Sequence, residues 1–216
     1  MALLRRRAPR GLSQLKARRG DAPLVIYCNH SSSWDGLLAF HVSQICELDS
    51  YGMMEEKHLR KYPFHRRLGA FSVVREDHKA ALRSIDYAAR LLRDKDRVLW
   101  IFPQGETAPN DVRPLKLYSG LARIIERTLV VDAIPIAMRY EFLDGFRPEA
   151  FLRVGTVERI VVGNGFQTKA LTAAFALRLT QTLDSLRGDI TARDFAGYEE
   201  LITVRRASSA TDGRNK

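Results

Sequence analysis

The fold of this chain is decided by the stretch Leu24-Val25-Ile26-Tyr27-Cys28-Asn29-His30-Ser31-Ser32-Ser33-Trp34-Asp35. Residues 24–28 form a short apolar run, partly β-branched, which predicts a buried strand. Residues 34–47 predict a helix. Between them three consecutive serines supply turn and N-cap chemistry. His30 and Asp35 therefore sit at a strand-to-helix turn, where α/β proteins build their sites. On a straight helix five residues put the two side chains about 140° apart. On a strand, odd spacing sends them to opposite faces. The two meet only if the chain turns between them. Imidazole titrates near neutral pH, and a carboxylate on one ring nitrogen sets the tautomer of the other.

Working outward, strands and helices alternate. Residues 50–54 predict a second strand. Residues 55–69, basic and broken by Pro63, predict two short helices around a turn. Gly69 to Arg75 predicts a turn into a strand. Asp77 is placed to cap a helix over 79–93, with Leu82, Ile85, Ala89 and Leu92 at helical spacing. Residues 97–102 predict a strongly buried strand, followed by a polar loop with Pro103, Pro109 and Pro114. A helix over 118–127 leads into a strand over 130–138, with strand-like pieces through 151–162. A last amphipathic helix over 168–186 carries Leu171, Phe175, Leu179, Leu183 and Leu186 along one core-facing stripe. The expected fold is α/β: a single domain with a central mixed, mostly parallel sheet flanked by helices. Residues 1–20 are expected as a basic arm, 21–204 as the folded domain and 205–216 as a disordered polar tail.

Composition bounds the partners. The chain has 216 residues and a net charge of +10, from 35 Lys and Arg against 25 Asp and Glu. Such a balance favours anionic membrane surfaces, nucleic acid or acidic ligands. Arg5, Arg6, Arg7, Arg10, Lys16, Arg18 and Arg19 concentrate part of it at the start. The aromatics are not interleaved with the basic residues as a nucleic-acid stacking platform requires, so no specific nucleic acid is expected. No run of 18 apolar residues predicts a transmembrane span. Two cysteines make no disulfide framework, and a cytoplasmic setting is the expectation. Cys28, two residues before His30, reads as a small core residue; as a thiol nucleophile it is the minor alternative. The remaining histidines show no ligand spacing, so neither a metal nor a cofactor is expected.

Three further stretches carry chemistry. Phe102-Pro103-Gln104-Gly105-Glu106-Thr107 places a Pro and a Gly just past the strongest strand, a loop that a substrate can approach closely. Arg75, at a strand end, suits a phosphate or carboxylate. Pro135 within an apolar run marks a bulge or a strand end.

In their order, His-x-x-x-x-Asp at 30–35, Gly-x-x-x-x-x-Arg at 69–75, Phe-Pro-x-Gly at 102–105 and Ile-Pro-Ile at 134–136 resemble the glycerolipid acyltransferase family, the lysophosphatidic acid acyltransferase-like proteins. The blocks span roughly residues 24–140. The resemblance implies transfer of a fatty acyl group from acyl-CoA or acyl carrier protein to a hydroxyl of a lysophospholipid or related lipid. It implies His30 as general base and Asp35 as its orienting partner. Asn29, Ser31 and the amides at the start of the following helix are the candidates for orienting groups or oxyanion donors. Arg75 would bind the acceptor's phosphate. Phe102, Pro103, Gln104, Gly105, Glu106 and Thr107 would shape the acceptor pocket, and Pro135 would lie near the acyl or thioester channel.

The third block departs from the family pattern Phe-Pro-Glu-Gly-Thr-Arg. Gln104 replaces the acid, Glu106 stands at the Thr and Thr107 at the Arg, which removes a cation that would help hold phosphate. Arg113 and Lys116 are the next cations along. A neutral lipid, a glycolipid, a carotenoid glycoside or another lysophospholipid then becomes a credible acceptor. Peripheral contact with an anionic membrane is expected through the basic arm and Leu3, Leu4 and Leu12. The competing functions are a non-catalytic basic module for anionic lipid or nucleic acid, and a thioester hydrolase using the same His and Asp on water.

Overall fold

The computed structural model describes residues 5–6, 11–16, 20–74 and 77–198. The Leu24–Cys28 run forms β2 and all five of its residues are buried. It is the middle of one mixed sheet. Preceding it are β1 (Arg5–Arg6) and α1 (Leu12–Lys16). After it come α2 (Asp35–Ile45), β3 (Asp49–Glu55), α3 (Glu56–Lys61), a 3-10 segment (Pro63–Leu68) and β4 (Ala70–Val73). The chain continues through α4 (His78–Leu91), β5 (Arg97–Ile101), α5 (Gly120–Thr128) and β6 (Val130–Glu141). It ends in β7 (Glu149–Val154), β8 (Glu158–Val161) and α6 (Thr168–Thr191). Asp77 caps α4 as its sequence predicts, accepting the Ala80 amide at 3.1 Å.

Spatial strand order is β1-β7-β6-β2-β5-β3-β4, with β8 also paired to β6. Pairs β1–β7, β2–β5, β2–β6, β3–β4 and β3–β5 are parallel, whereas β7 and β8 run antiparallel to β6. The expected mixed, mostly parallel α/β sheet is therefore present. From β2 the chain moves out to β3 and β4, returns to insert β5 beside β2, then crosses to β6 on the other side. The carboxyl ends of β2, β5 and β6 thus flank the point where winding reverses, the crevice in which open α/β sheets bind ligands.

Strand alternation divides the core into two layers. Leu24, Ile26 and Cys28 of β2 join Leu12 and Leu15 of α1 and Leu38, Ala39 and Val42 of α2 on one face. Val25 and Tyr27 meet α4, α5 and α6 on the other, through Ile85, Leu121, Ile124, Phe175 and Leu179. Period-2 side-chain direction requires this split, and a strand buried on both faces reads as a continuous apolar run. Leu12, expected at a membrane surface, is instead buried in the first layer. Leu3 and Leu4 lie outside the described residues.

Pro135 is neither a bulge nor a strand end: it lies inside the twelve-residue β6, level with Tyr27. The outer neighbour of β6 changes there, since β8 pairs with Val130 to Ala133 and β7 with Ile136 to Glu141. The Pro135 carbonyl accepts the Gly155 amide at 2.8 Å, and carbonyl and amide of one strand residue face the same edge. The missing N–H thus falls at the gap between β8 and β7, where no ladder donor is needed. Gly155 is required at this point, because a Cβ there would lie 2.6 Å from Pro135 Cγ and 2.8 Å from Thr182 Oγ1.

Candidate active site

His30 lies just past the carboxyl end of β2 and Asp35 opens α2. The serine turn between them brings His30 Nδ1 within 2.8 Å of Asp35 Oδ2. The same oxygen accepts the Ser31 amide at 2.7 Å and the Ser32 amide at 2.9 Å, so Asp35 also ties down the turn that positions His30. Ser32 Oγ accepts the Trp34 amide at 3.2 Å. Asp35 is fully buried, while the His30 side chain is 25 % exposed. A carboxylate accepting at Nδ1 puts the neutral ring's proton there and leaves the Nε2 lone pair available.

Asp35 Oδ1 accepts from the Tyr140 hydroxyl at 2.6 Å. Nothing local in the sequence marks Tyr140, which follows the Ile-Pro-Ile block by four residues and reaches Asp35 only because β6 lies beside β2. Buried carboxylate oxygens need partners, and here Asp35 has donors on both oxygens.

Asn29 is buried and its amide is wholly committed. Oδ1 accepts the Met138 amide at 2.7 Å, and Nδ2 donates to Met138 O at 2.8 Å and to Asn110 Oδ1 at 2.7 Å. It is a clasp joining β2, β6 and the loop after β5, an orienting geometry with no N–H left for an oxyanion. Ser31 Oγ differs: it is buried and has no hydrogen-bond partner among the described residues.

The 102–107 loop divides in two. Gln104 is buried, and its Oε1 accepts the His30 amide at 2.7 Å. The His30 carbonyl in turn accepts the Ala108 amide at 2.8 Å, so the loop after β5 grips His30 from both sides. Phe102 packs against His30 with ring centroids 4.9 Å apart and planes tilted by 38°. Pro103 is buried, and its carbonyl accepts the Tyr118 amide at 2.7 Å. Gly105 takes φ of 72°, a left-handed conformation that glycine reaches without strain. Glu106 and Thr107 are exposed. The position at which the family pattern has an acid thus needs an acceptor for the His30 amide, and the neutral Gln104 supplies one.

Pro135 stands apart, packed against Gly155 and Thr182 on the α6 side of the sheet. Arg75 lies outside the described residues. Arg113 donates to Asp184 Oδ1 at 2.5 Å and to the carbonyls of Asn110 and Val112, and so braces its own loop. Lys116 is exposed. Arg139 Nη1 donates to Asp111 Oδ1 at 2.9 Å, a hydrogen bond that holds the Asp111 carboxyl below the usual carboxylate range. Cys28 is a core residue: burial, reinforced by the nearby Asp35 charge, pushes its thiol well above the usual range. A thiol that resists ionisation is a poor nucleophile.

Among the described residues no cluster of three or more His, Cys, Asp and Glu side chains is arranged to hold a metal. Among those residues, too, no helix is long and apolar enough to cross a membrane.

A region of "Putative 1-acyl-sn-glycerol-3-phosphate acyltransferase acl-2" from Caenorhabditis elegans is 32 % identical over 89 residues, 39 % of this chain and 30 % of that protein's length. The match therefore spans about a third of that relative. A formyltetrahydrofolate deformylase structure from Pseudomonas putida aligns over 82 % of this chain and 68 % of its own, at 13 % identity and a TM-score of 0.31. That likeness is too slight to carry weight. The sequence model of the family described as Acyltransferase matches residues 8–139, which include His30, Asp35, Gln104 and the clasp at Met138; the chain belongs to the acyltransferase family.

Proposed function

We propose that this protein transfers a fatty acyl group from a thioester donor, acyl-CoA or acyl carrier protein, to a hydroxyl of a lysophospholipid or related lipid, with His30 as general base. The observation that carries this is the chain Tyr140–Asp35–His30, in which a buried carboxylate holds Nδ1 and leaves Nε2 free. His30 Nε2 takes the acceptor's hydroxyl proton as the oxygen attacks the thioester carbonyl. Collapse of the tetrahedral intermediate breaks the carbon–sulfur bond, and the leaving thiolate takes the proton back from the imidazolium. No acyl-enzyme is required, because the thioester is already activated and positioning supplies much of the rate. The Ser31 hydroxyl, which follows His30 in the chain and has no hydrogen-bond partner among the described residues, is the group we assign to the oxyanion.

Donor and acceptor rest on the family's chemistry and on the name of the worm relative. Gln104 satisfies a backbone amide without adding charge, so the altered third block remains compatible with this chemistry at His30. Arg75 is the proposed phosphate contact. The test is incubation of His30→Ala and wild-type protein with labelled acyl-CoA or acyl carrier protein and a lipid extract, followed by mass spectrometry. Wild type should yield acylated lipid, and His30→Ala should lose on the order of 10²–10⁴ in rate. Thiol release that needs no added alcohol would assign a hydrolase instead.

A further inference from the structure

From Lys57 to Arg67 the chain carries five cations, Lys57, Arg60, Lys61, Arg66 and Arg67, and no carboxylate. Residues 21–204 as a whole hold equal numbers of basic and acidic side chains, so this concentration is a local feature. All five cations are exposed, as are Tyr62, Pro63 and Phe64 between them. Lys57, Arg60 and Lys61 stand at i, i+3 and i+4 and share one face of α3. In the 3-10 segment that follows, three residues per turn align Phe64 with Arg67. Lys57 pairs with Glu55 at 2.9 Å and Arg60 with Glu56 at 2.8 Å. Lys61, Arg66 and Arg67 have no acidic partner among the described residues.

This surface is firmly seated. Leu59 is buried beneath it. The Tyr62 carbonyl accepts the His65 amide at 3.3 Å and His65 Nδ1 at 3.0 Å, and the Gly69 carbonyl accepts the Gly52 amide of β3 at 3.1 Å. The patch also begins at the reactive end of the sheet. Tyr27 of β2 pairs with Ile101, the residue after the Trp100 that pairs with Gly52 of β3. Counting on from these pairs, Glu56 at the start of α3 comes level with His30 two strands away, roughly 10 Å across the sheet. The cavity beside Lys57 and Arg60 is about 200 Å³ and is also lined by Glu55 and Glu56. That is too small and too acidic for a nucleotide's phosphates, since ligand pockets hold about 300–1,000 Å³. Arginines with a tyrosine and a phenylalanine on an open surface suit a protein partner instead. A field of one sign selects a partner of the other.

We propose that residues 57–67 dock an acidic carrier protein that presents the acyl group as a thioester, so that acyl carrier protein is the preferred donor. This rests on the thioester-donor reading above and chooses between its two donors. Carboxylates of the carrier meet Lys61, Arg66 and Arg67, Phe64 supplies apolar contact, and the carrier's phosphopantetheine arm brings the thioester from this edge to His30. The acyl group passes to the acceptor oxygen as described above, and the carrier leaves with its thiol protonated.

The test measures acyl transfer to the lipid extract from palmitoyl-acyl carrier protein and, separately, from palmitoyl-CoA. It compares wild type with Lys61→Glu/Arg66→Glu/Arg67→Glu. All three positions are exposed, so thermal unfolding should be unchanged. KM for the carrier-borne donor should rise at least about tenfold, with kcat and KM for palmitoyl-CoA within about twofold of wild type. Phe64→Ser should raise the same KM about threefold or more. In a direct titration holo-acyl carrier protein should bind wild type and not the triple variant. An unchanged KM for the carrier-borne donor, or an equal rise for both donors, overturns the docking surface, as does a wild type that does not bind the carrier protein. Weakened binding to duplex DNA or anionic vesicles with carrier-borne turnover intact assigns the patch to another polyanion and overturns it too. If wild type acylates no lipid from either donor yet binds holo-acyl carrier protein through these cations, the acceptor assignment fails and the docking surface stands.

Discussion

The Tyr140 hydroxyl donates to Asp35 Oδ1 at 2.6 Å across 105 residues of sequence. It completes the set of donors on a carboxylate that has no contact with water, and it ties the His30 turn to the far end of β6. Removing it should leave the fold and disturb the site. Tyr140→Phe is expected to lose about 1 kcal/mol of stability and to lower kcat severalfold with little change in KM. Thermal unfolding and steady-state kinetics on the same preparation check both.

Asp35→Asn preserves the volume of the side chain but presents a donor where a second acceptor oxygen is needed. With its oxygen kept toward His30 and the Ser31 and Ser32 amides, its NH2 faces the Tyr140 hydroxyl, which must turn from donor to acceptor, and the negative charge that stabilises an imidazolium is lost. Acyl transfer should fall by on the order of 10²–10⁴. A variant that keeps a tenth or more of wild-type turnover would remove Asp35 from the mechanism.

Gln104 should matter through its oxygen rather than through its lack of charge. Gln104→Leu strands the His30 amide, a loss of about 1–3 kcal/mol, and should displace His30 enough to lower turnover. Gln104→Glu restores an acceptor and should refold the site, with unfolding temperature closer to wild type than that of Gln104→Leu. Equal melting of the two variants would refute this account.

Ser31→Ala is expected to leave stability unchanged or slightly raised, because it removes a buried hydroxyl with no partner among the described residues. Its kcat should fall on the order of 10–10³-fold if that hydroxyl meets the oxyanion. A variant of unchanged kcat would show that the group is idle.

Two groups with shifted protonation give pH and reactivity tests. Burial raises the Cys28 thiol, so alkylation near neutral pH should label Cys46 first and Cys28 only after unfolding. Cys28→Ala should retain acyl transfer. Asp111 shifts downward through its hydrogen bond from Arg139. Its folded pKa is below the unfolded value, so the stabilisation is present above about pH 4 and is lost as pH falls through the folded value. Asp111 is largely exposed, so solvent screening keeps the effect local. Hydrogen exchange in residues 106–118 should rise at acid pH, and Asp111→Asn should abolish that rise.

Much of the fold is legible residue by residue. The apolar run at 24–28, the capping Asp77 and the stripe at Phe175, Leu179, Leu183 and Leu186 are local patterns whose periods match their elements. The helix expected over 34–47 is Asp35–Ile45, because its ends depend on hydrogen bonds that periodicity does not encode. His30 and Asp35 could be paired from spacing alone, since a turn of serines is the one local way for them to meet.

The rest of the site depends on strand order. Tyr140, Asn110 and the Met138 backbone reach the His30 turn because β6 and β5 lie on either side of β2. Asn29 acts as a clasp because the Met138 amide and carbonyl face it. Pro135, with an N–H missing in the middle of a sheet, is tolerated because β8 ends and β7 begins beside it. Local sequence sets which backbone segments form and which way their side chains alternate, since those follow from sterics and period. Partners for the buried carboxylate, amide and imidazole come from residues up to 109 positions away, so their satisfaction is a property of how the strands are ordered.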